Sequence, residues 1–245
     1  MSYNLNRVTA VVLAGGLGTR IKALYPDLPK PMIPICGKPF LEWVIRYLRK
    51  QGLERAIISS GYKAEIISHH FSHQPVAGIH VQCVNETTPQ GTAGGFLEAA
   101  TRAQITPDAW LVLNGDSLVF ADLNTAASPL ADKAVEGVVV GVAVPDTSRY
   151  GKIIFDAFGR LLRFEEKMPG QGAINAGIYF LQNSLIQTFP ANRPLSFEKD
   201  VFPKLLGRAA NIKVNVAQAP FLDIGTPDSV VLGEEFVQKN KDHFA

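Results

Sequence analysis

The sequence predicts an α/β protein, built as a parallel sheet with helices on both faces. Apolar runs alternate with amphipathic ones in the order β-α-β-α-β-α-β over the first half of the chain. Two of those apolar runs end in glycine-bearing polar turns, after Leu13 and after Leu113. At 245 residues, 47% hydrophobic and 19% charged, the chain can bury a sizeable core. Ligands of such sheets collect at the carboxyl ends of the strands, so both turns are expected to face one cleft.

Taken in order, Val8 to Leu13 reads as a buried strand. Pro39 opens a helix whose apolar stripe, Phe40, Leu41, Val44, Ile45 and Leu48, has helical spacing, and Gly52 closes it. Ala56 to Ser59 is a short buried strand, Ala64 to Phe71 an amphipathic helix, and Ile79 to Val84 the next strand. Thr92 is placed to cap a helix running to Ala103. Trp110 to Leu113 is a further apolar strand, ending at Asn114-Gly115-Asp116. Beyond it the character changes. Gly137 to Val144 is a long apolar strand. Lys152 to Phe155 and Leu161 to Glu165 flank a turn from Asp156 to Gly159 and read as a hairpin. Ile174 to Leu181 is a strand, while Leu185 to Phe189 and Phe197 to Leu206 are helical pieces separated by Pro190 and Pro194. Ile212 to Val216 and Ala219 to Leu222 are short strands, and Pro227 starts a last helix to Lys239. No linker or repeat interrupts the chain. One domain is expected over residues 1–245, with a first half (1–120) that carries the turns after Leu13 and Leu113 and a second half (121–245) that completes the cleft.

The stretch from Val11 to Pro31, VVLAGGLGTRIKALYPDLPKP, carries the strongest functional signal. An apolar strand feeds a loop of small residues, Ala14, Gly15, Gly16 and Gly18, followed by Thr19, Arg20 and Lys30. Glycines let backbone N–H groups approach phosphate oxygens, and the two cations can neutralise them, so a nucleoside triphosphate fits. The P-loop is excluded, because no lysine-serine or lysine-threonine pair follows the glycines. The dinucleotide fingerprint is excluded as well: Gly16-Leu17-Gly18 is followed by Thr19, Arg20 and Ile21, without the third glycine. Pro26, Pro29, Pro31 and Pro34 bar a long helix here, so the loop is long and open.

Asp116 ends an apolar strand on the same side as this loop, and Asp223, in Phe-Leu-Asp-Ile-Gly-Thr-Pro, follows another short strand. Asn-Gly-Asp is also an ordinary turn, and Thr226-Pro227 is helix-start chemistry. Two cleft carboxylates beside a triphosphate suit Mg²⁺, which takes few protein ligands. Lys167 follows a strand in a charged cluster, Asn175 interrupts an apolar one, Ser196 is placed as a helix cap before Glu198, and Glu86 precedes a glycine turn. The five histidines form no metal motif, and no nucleophile elbow is present. A net charge of +2 without a basic run argues against nucleic acid and anionic membrane. No run of ~20 apolar residues occurs. Met1 to Thr9 lacks the apolar core of a signal peptide. Cys36 and Cys83 are expected as reduced thiols of a cytoplasmic protein.

Leu13 to Arg20, L-A-G-G-L-G-T-R, followed by Pro29-Lys30-Pro31, closely resembles the signature of sugar-1-phosphate nucleotidylyltransferases. Further matches run along nearly the whole chain: Glu86 with Gln90-Gly91-Thr92-Ala93-Gly94, Asn114-Gly115-Asp116, Tyr150-Gly151, Glu165-Glu166-Lys167, Asn175-Ala176-Gly177, Ser196-Phe197-Glu198 and Asp223 to Pro227. The resemblance implies a Rossmann-like three-layer sandwich with a mixed, mostly parallel central sheet, of the nucleotide-diphospho-sugar transferase type. It implies a Mg²⁺-dependent enzyme in which a sugar 1-phosphate attacks the α-phosphorus of a nucleoside triphosphate and pyrophosphate leaves. No protein nucleophile is needed for that chemistry.

The implied roles follow residue by residue. Leu13, Ala14, Gly15, Gly16, Gly18 and Thr19 would hold the nucleotide, with Arg20 on its β- and γ-phosphates and Lys30 near the α-phosphate. Asp116 and Asp223 would bind Mg²⁺. Glu86, Gln90, Gly91, Thr92, Asn114 and Gly115 would complete the nucleotide site. Tyr150, Gly151, Glu166, Lys167, Asn175, Ala176, Gly177 and Glu198 would meet the sugar phosphate. Within the family the pattern looks most like the bacterial D-glycero-D-manno-heptose 1-phosphate guanylyltransferases, with mannose-1-phosphate enzymes next. Their nucleotide sugars serve cell-surface polysaccharide such as lipopolysaccharide.

Guanine presents N1–H and N2–H₂ side by side, and a carboxylate accepts both, so Glu86 at the base favours GTP. Uridylyl and thymidylyl transfer stay open, since a glutamate also accepts one N–H. Gln90 departs from the leucine or aspartate common in relatives. The chain ends soon after the catalytic unit, without the left-handed β-helix of two-domain relatives, which argues against an added acetyltransferase. A non-catalytic nucleotide-sugar-binding subunit is the competing class, although such proteins lose the cations or metal carboxylates present here. The Leu41–Leu48 face or the C-terminal helix could support a homodimer.

Overall fold

The computed structural model describes residues 3–166, 168–190 and 194–244. Strand β1 (Val8–Ala14) leads into a run of turns without an α-helix, as the prolines require, and then into a two-residue pair, β2 (Pro34–Ile35) and β3 (Lys38–Pro39). Helix α1 (Phe40–Lys50), β4 (Arg55–Ser60), α2 (Ala64–His73), β5 (His80–Asn85), α3 (Thr92–Arg102) and β6 (Ala109–Asn114) follow. The second half holds β7 (Ser117–Val119), α4 (Leu123–Ala127), β8 (Gly137–Val144), β9 (Gly151–Phe155), β10 (Leu161–Glu166) and β11 (Gly172–Gln182). It closes with α5 (Phe202–Gly207), β12 (Ile212–Ala217), β13 (Phe221–Asp223) and α6 (Pro227–Lys239).

The central sheet is mixed. Its path is β10-β9-β11-β6-β1-β4-β5, with β8 and β12 branching from β11. β1 pairs in parallel with β4 and β6, and β4 with β5. β11 closes this parallel part by running antiparallel to β6. The chain passes from β1 to β4 and β5, then returns to place β6 on the other flank of β1. The sheet order therefore reverses between β1 and β6, which is where α/β sheets open a ligand crevice.

Strand alternation builds two cores. Val8, Ala10 and Val12 of β1 face one layer with Phe40, Val44 and Leu48 of α1. Val11 of β1, with Trp110 and Val112 of β6, faces the other, against Phe96 of α3 and Phe202 of α5. Period-2 strands buried on both sides give near-continuous apolar runs, and helices on each face complete three layers. No helix among the described residues is long and apolar enough to cross a membrane.

Several expectations need revision. Thr92 does not cap α3: Gly91 holds the cap position at φ +74°, and the Thr92 Oγ1 accepts from the Phe197 amide at 3.1 Å. Ser196 does cap, accepting from the Lys199 amide, although the first turn after it is π-helical. The strand expected at Ala219 to Leu222 lies at Phe221–Asp223. The short strand β7 had no sequence signal, and it pairs antiparallel with β13 in register Asp223↔Ser117.

Candidate functional site

Leu13 stands opposite Asn114 across the β1/β6 pair, and the Gly115 amide donates to the Leu13 carbonyl at 2.8 Å. The two loops leaving these strands thus start side by side. A cavity of about 190 Å³ opens above them, lined by Leu13, Ala14, Gly16, Gly18, Thr19, Arg20, Lys30, Asp116 and Gly225. Gly18 has φ +59°, and a Cβ there would sit 3.0 Å from the Lys30 Cβ, so glycine lets the turn bearing Lys30 pass this close. Arg20 is exposed at the rim.

The β7–β13 pairing carries Asp223 to Asp116, and the Ile224 amide donates to the Asp116 carbonyl at 3.1 Å. The Lys30 ammonium lies between the two carboxylates, 2.6 Å from Asp116 Oδ2 and 3.3 Å from Asp223 Oδ1. Lys30 is 11% exposed, while the aspartates keep 34 and 33% of their side-chain surface open. In kind, two carboxylates with open flanks for water and phosphate oxygens suit Mg²⁺, and the point they share here is held by the Lys30 ammonium. Among the described residues no cluster of three or more His, Cys, Asp and Glu side chains competes with it.

A second cavity, about 420 Å³, continues from Leu13, Gly16 and Asp116 toward Glu86, Gln90, Gly91 and Thr92, with Tyr62 on its wall. Glu86 is not simply solvated. Its Oε1 accepts from the Ser59 hydroxyl at 2.9 Å and its Oε2 from the Gln90 amide at 3.3 Å. Gly91 turns tightly beneath Leu195, whose carbonyl a Cβ would strike. The Ala93 amide donates to that same carbonyl at 2.9 Å, so the start of α3 is tied to the segment bearing Ser196 and Glu198.

A third cavity, about 460 Å³, shares Asn114 with the second and includes Tyr150, Gly151, Glu166, Asn175, Gly177 and Glu198, along with Arg149 and Lys199. A bulge in β11 between Asn175 and Ile178 puts Gly177 at φ +66°, where a Cβ would collide with the Asn114 amide. Asn175 is not a free polar group. Its Oδ1 accepts from the Gly177 amide at 3.0 Å, and its Nδ2 donates to the Tyr179 Oη at 2.7 Å and to Glu198 Oε1 at 3.3 Å. Tyr179 Oη in turn donates to Glu198 Oε1 at 2.7 Å, and the Ser196 hydroxyl donates to Oε2 at 2.9 Å. Burial first, then the neighbouring Glu198 charge, pushes the Tyr179 phenol well above its ordinary range, so it stays a donor.

Three expected site residues line none of these cavities: Asp223, Gly115 and Ala176. Asp223 meets the first cavity through Lys30, which lines it. Gly115 packs under the floor against the Leu13 carbonyl and the Leu41 side chain. Ala176 is 3% exposed and belongs to the core. Lys167 lies outside the described residues. Ser59 and Tyr179 escaped the sequence reading. Their one signal was a polar group within an apolar strand, since each one's carboxylate partner lies 19 or more residues away.

A family model described as "Nucleotidyl transferase" matches residues 9–240. The chain is 36% identical over 223 residues to a D-glycero-alpha-D-manno-heptose 1-phosphate guanylyltransferase of Campylobacter jejuni, covering 89% of this chain and 95% of the relative. It is 33% identical to a mannose-1-phosphate guanylyltransferase of Mycobacterium tuberculosis, covering 93% of this chain and 64% of that protein. Among solved structures it is similar to HddC from Yersinia pseudotuberculosis complexed with GMP-PN, with TM-score 0.81, 36% identity and coverage of 93 and 98%.

Proposed function

The chain belongs to the nucleotidyl transferase family, and from that premise we propose that it transfers GMP from GTP to a sugar 1-phosphate, first of all D-glycero-α-D-manno-heptose 1-phosphate, with release of pyrophosphate. One observation carries this reading. The three cavities join into a single cleft, with Asp116 shared by the first two and Asn114 by the last two. A triphosphate, its base and a sugar phosphate need that succession of a cationic, an edge-reading and a polyhydroxyl-accepting compartment. The heptose 1-phosphate guanylyltransferase matched along nearly its whole length supports the choice of sugar, as does the HddC complex for the nucleotide.

Residues 1–245 act as one domain in this reading. The amides of the glycine loop and the Arg20 guanidinium hold the departing pyrophosphate. The Lys30 ammonium neutralises charge at the phosphorus under attack. Asp116 and Asp223 hold Mg²⁺, which when bound draws off further negative charge from the phosphates. Glu86 accepts from the guanine edge, and Glu198, fixed by Tyr179 and Ser196, accepts from sugar hydroxyls. Positioning and charge neutralisation suffice, and the protein supplies no nucleophile.

The test is a pyrophosphate-release screen of GTP, ATP, CTP, UTP and dTTP against heptose, mannose and glucose 1-phosphates. GTP with the heptose phosphate is expected to react fastest. A mannose preference would move the protein toward its mycobacterial relative, and no release with any pair would favour a non-catalytic binding subunit.

A further inference from the structure

Ser59 lines none of the three cavities, yet it holds the Glu86 carboxylate from behind. It is the fifth residue of β4 and fully buried. Its hydroxyl lies 2.9 Å from Glu86 Oε1 and 3.1 Å from the Gly95 carbonyl oxygen. A hydroxyl has one proton to give. Gly95 sits inside α3, where its carbonyl already receives an amide from the next turn. The charged acceptor gains more from a donor, so the proton goes to Glu86.

The slot around that carboxylate is narrow. A Cβ on Gly95 would come 2.6 Å from Glu86 Oε1, and one on Gly15 would come 2.9 Å from it. The other oxygen is held by the Gln90 amide at 3.3 Å. Among the described residues each oxygen has one protein donor, which leaves it a second lone pair. A glutamate on three rotatable bonds would otherwise turn freely, and two adjacent N–H donors can be met only by two oxygens held in one plane.

We propose that Ser59 is a positioning residue for nucleobase selection, locking the Glu86 carboxylate in the orientation that accepts two adjacent donors of a purine edge. The inference rests on the reading of Glu86 as the guanine acceptor.

GTP and ITP separate the two contacts, because hypoxanthine keeps N1–H and lacks the exocyclic amine. In steady-state pyrophosphate release, the wild-type protein is expected to favour GTP over ITP. Ser59→Ala should lower that preference about tenfold, the order of one hydrogen bond to a charged group. The KM for the sugar 1-phosphate should not change. Gly95→Ala, which presses on the same oxygen from α3, should lower the preference too, and it serves as the second probe if Ser59→Ala does not fold. If Glu86→Gln abolishes the preference while Ser59→Ala and Gly95→Ala keep it, positioning is overturned and the reading of Glu86 stands. An unchanged preference in Glu86→Gln, or none in the wild type, overturns both. A loss in Ser59→Ala that falls equally on the sugar KM marks a general structural role and overturns the proposal.

Discussion

Asp116 and Asp223, far apart in the chain, share one counter-charge: the Lys30 ammonium stands 2.6 Å from the first and 3.3 Å from the second. Their oxygens cannot be farther apart than the sum of those distances. Two carboxylates this close repel unless a cation lies between them. The antiparallel pairing of β7 with β13 imposes the approach, and Lys30 makes it tolerable.

Replacing Lys30 by methionine removes that cation. Turnover in pyrophosphate release is expected to fall by about 10²–10³-fold, as when one charge-stabilising donor is lost from an active site. The carboxylates also lose their resident partner. Mn²⁺ binding without nucleotide, read by electron paramagnetic resonance, is therefore expected to tighten relative to wild type. Unchanged Mn²⁺ affinity would separate the lysine from the metal position.

Tyr179→Phe deletes the hydroxyl that donates to Glu198 and accepts from Asn175. The ring stays in its aromatic packing with Phe197 and Phe202. The KM for the sugar 1-phosphate is expected to rise about tenfold, the worth of one hydrogen bond to a charged group. The KM for the nucleotide should stay as it is, and a rise in both would show that Glu198 does not serve the sugar compartment alone.

Away from the cleft, Glu42 of α1 is 3% exposed and accepts from Arg46 at 2.9 Å, with Lys38 at 3.1 Å and His70 at 3.0 Å beside it. Burial alone would push its carboxyl up. Hydrogen bonds and charge from Arg46 and Lys38 outweigh that and hold it below its ordinary value. A carboxyl depressed in the folded state stabilises the fold above its unfolded-state value, and that contribution is lost as pH falls through the lower folded-state value. Glu42→Gln is expected to cost about 2 kcal/mol at neutral pH, less than a fully buried pair because Lys38 and Arg46 are partly exposed. Urea titrations across the acid range should show a flatter pH dependence for the variant.

The order of strands and helices around β1 was legible because apolar runs there are punctuated by glycine, proline and aspartate. The family signature was legible for the same reason, since its residues cluster at strand ends. Partnerships between distant residues were not. β7 is three residues long and carries no period, so nothing in the sequence announced that it would draw Asp223 onto Asp116. Thr92 looked like a cap because threonine often is one, but its hydroxyl is engaged by Phe197 across the domain. Ala176 shares a motif with Asn175 and Gly177, yet the bulge in β11 turns it into the core. Asn175 lines the third cavity, and the sequence did not show that its side chain also holds the Gly177 turn and donates to Glu198.

Asp116 and Asp223 are the pair that would hold Mg²⁺ during nucleotidyl transfer. Pyrophosphate release from GTP, dependent on added heptose 1-phosphate and Mg²⁺, checks this in Asp116→Asn and Asp223→Asn. Each variant is expected to lose about 10²-fold or more in turnover while melting as a folded protein. If both folded variants release pyrophosphate at close to the wild-type rate, the assignment of these carboxylates is wrong.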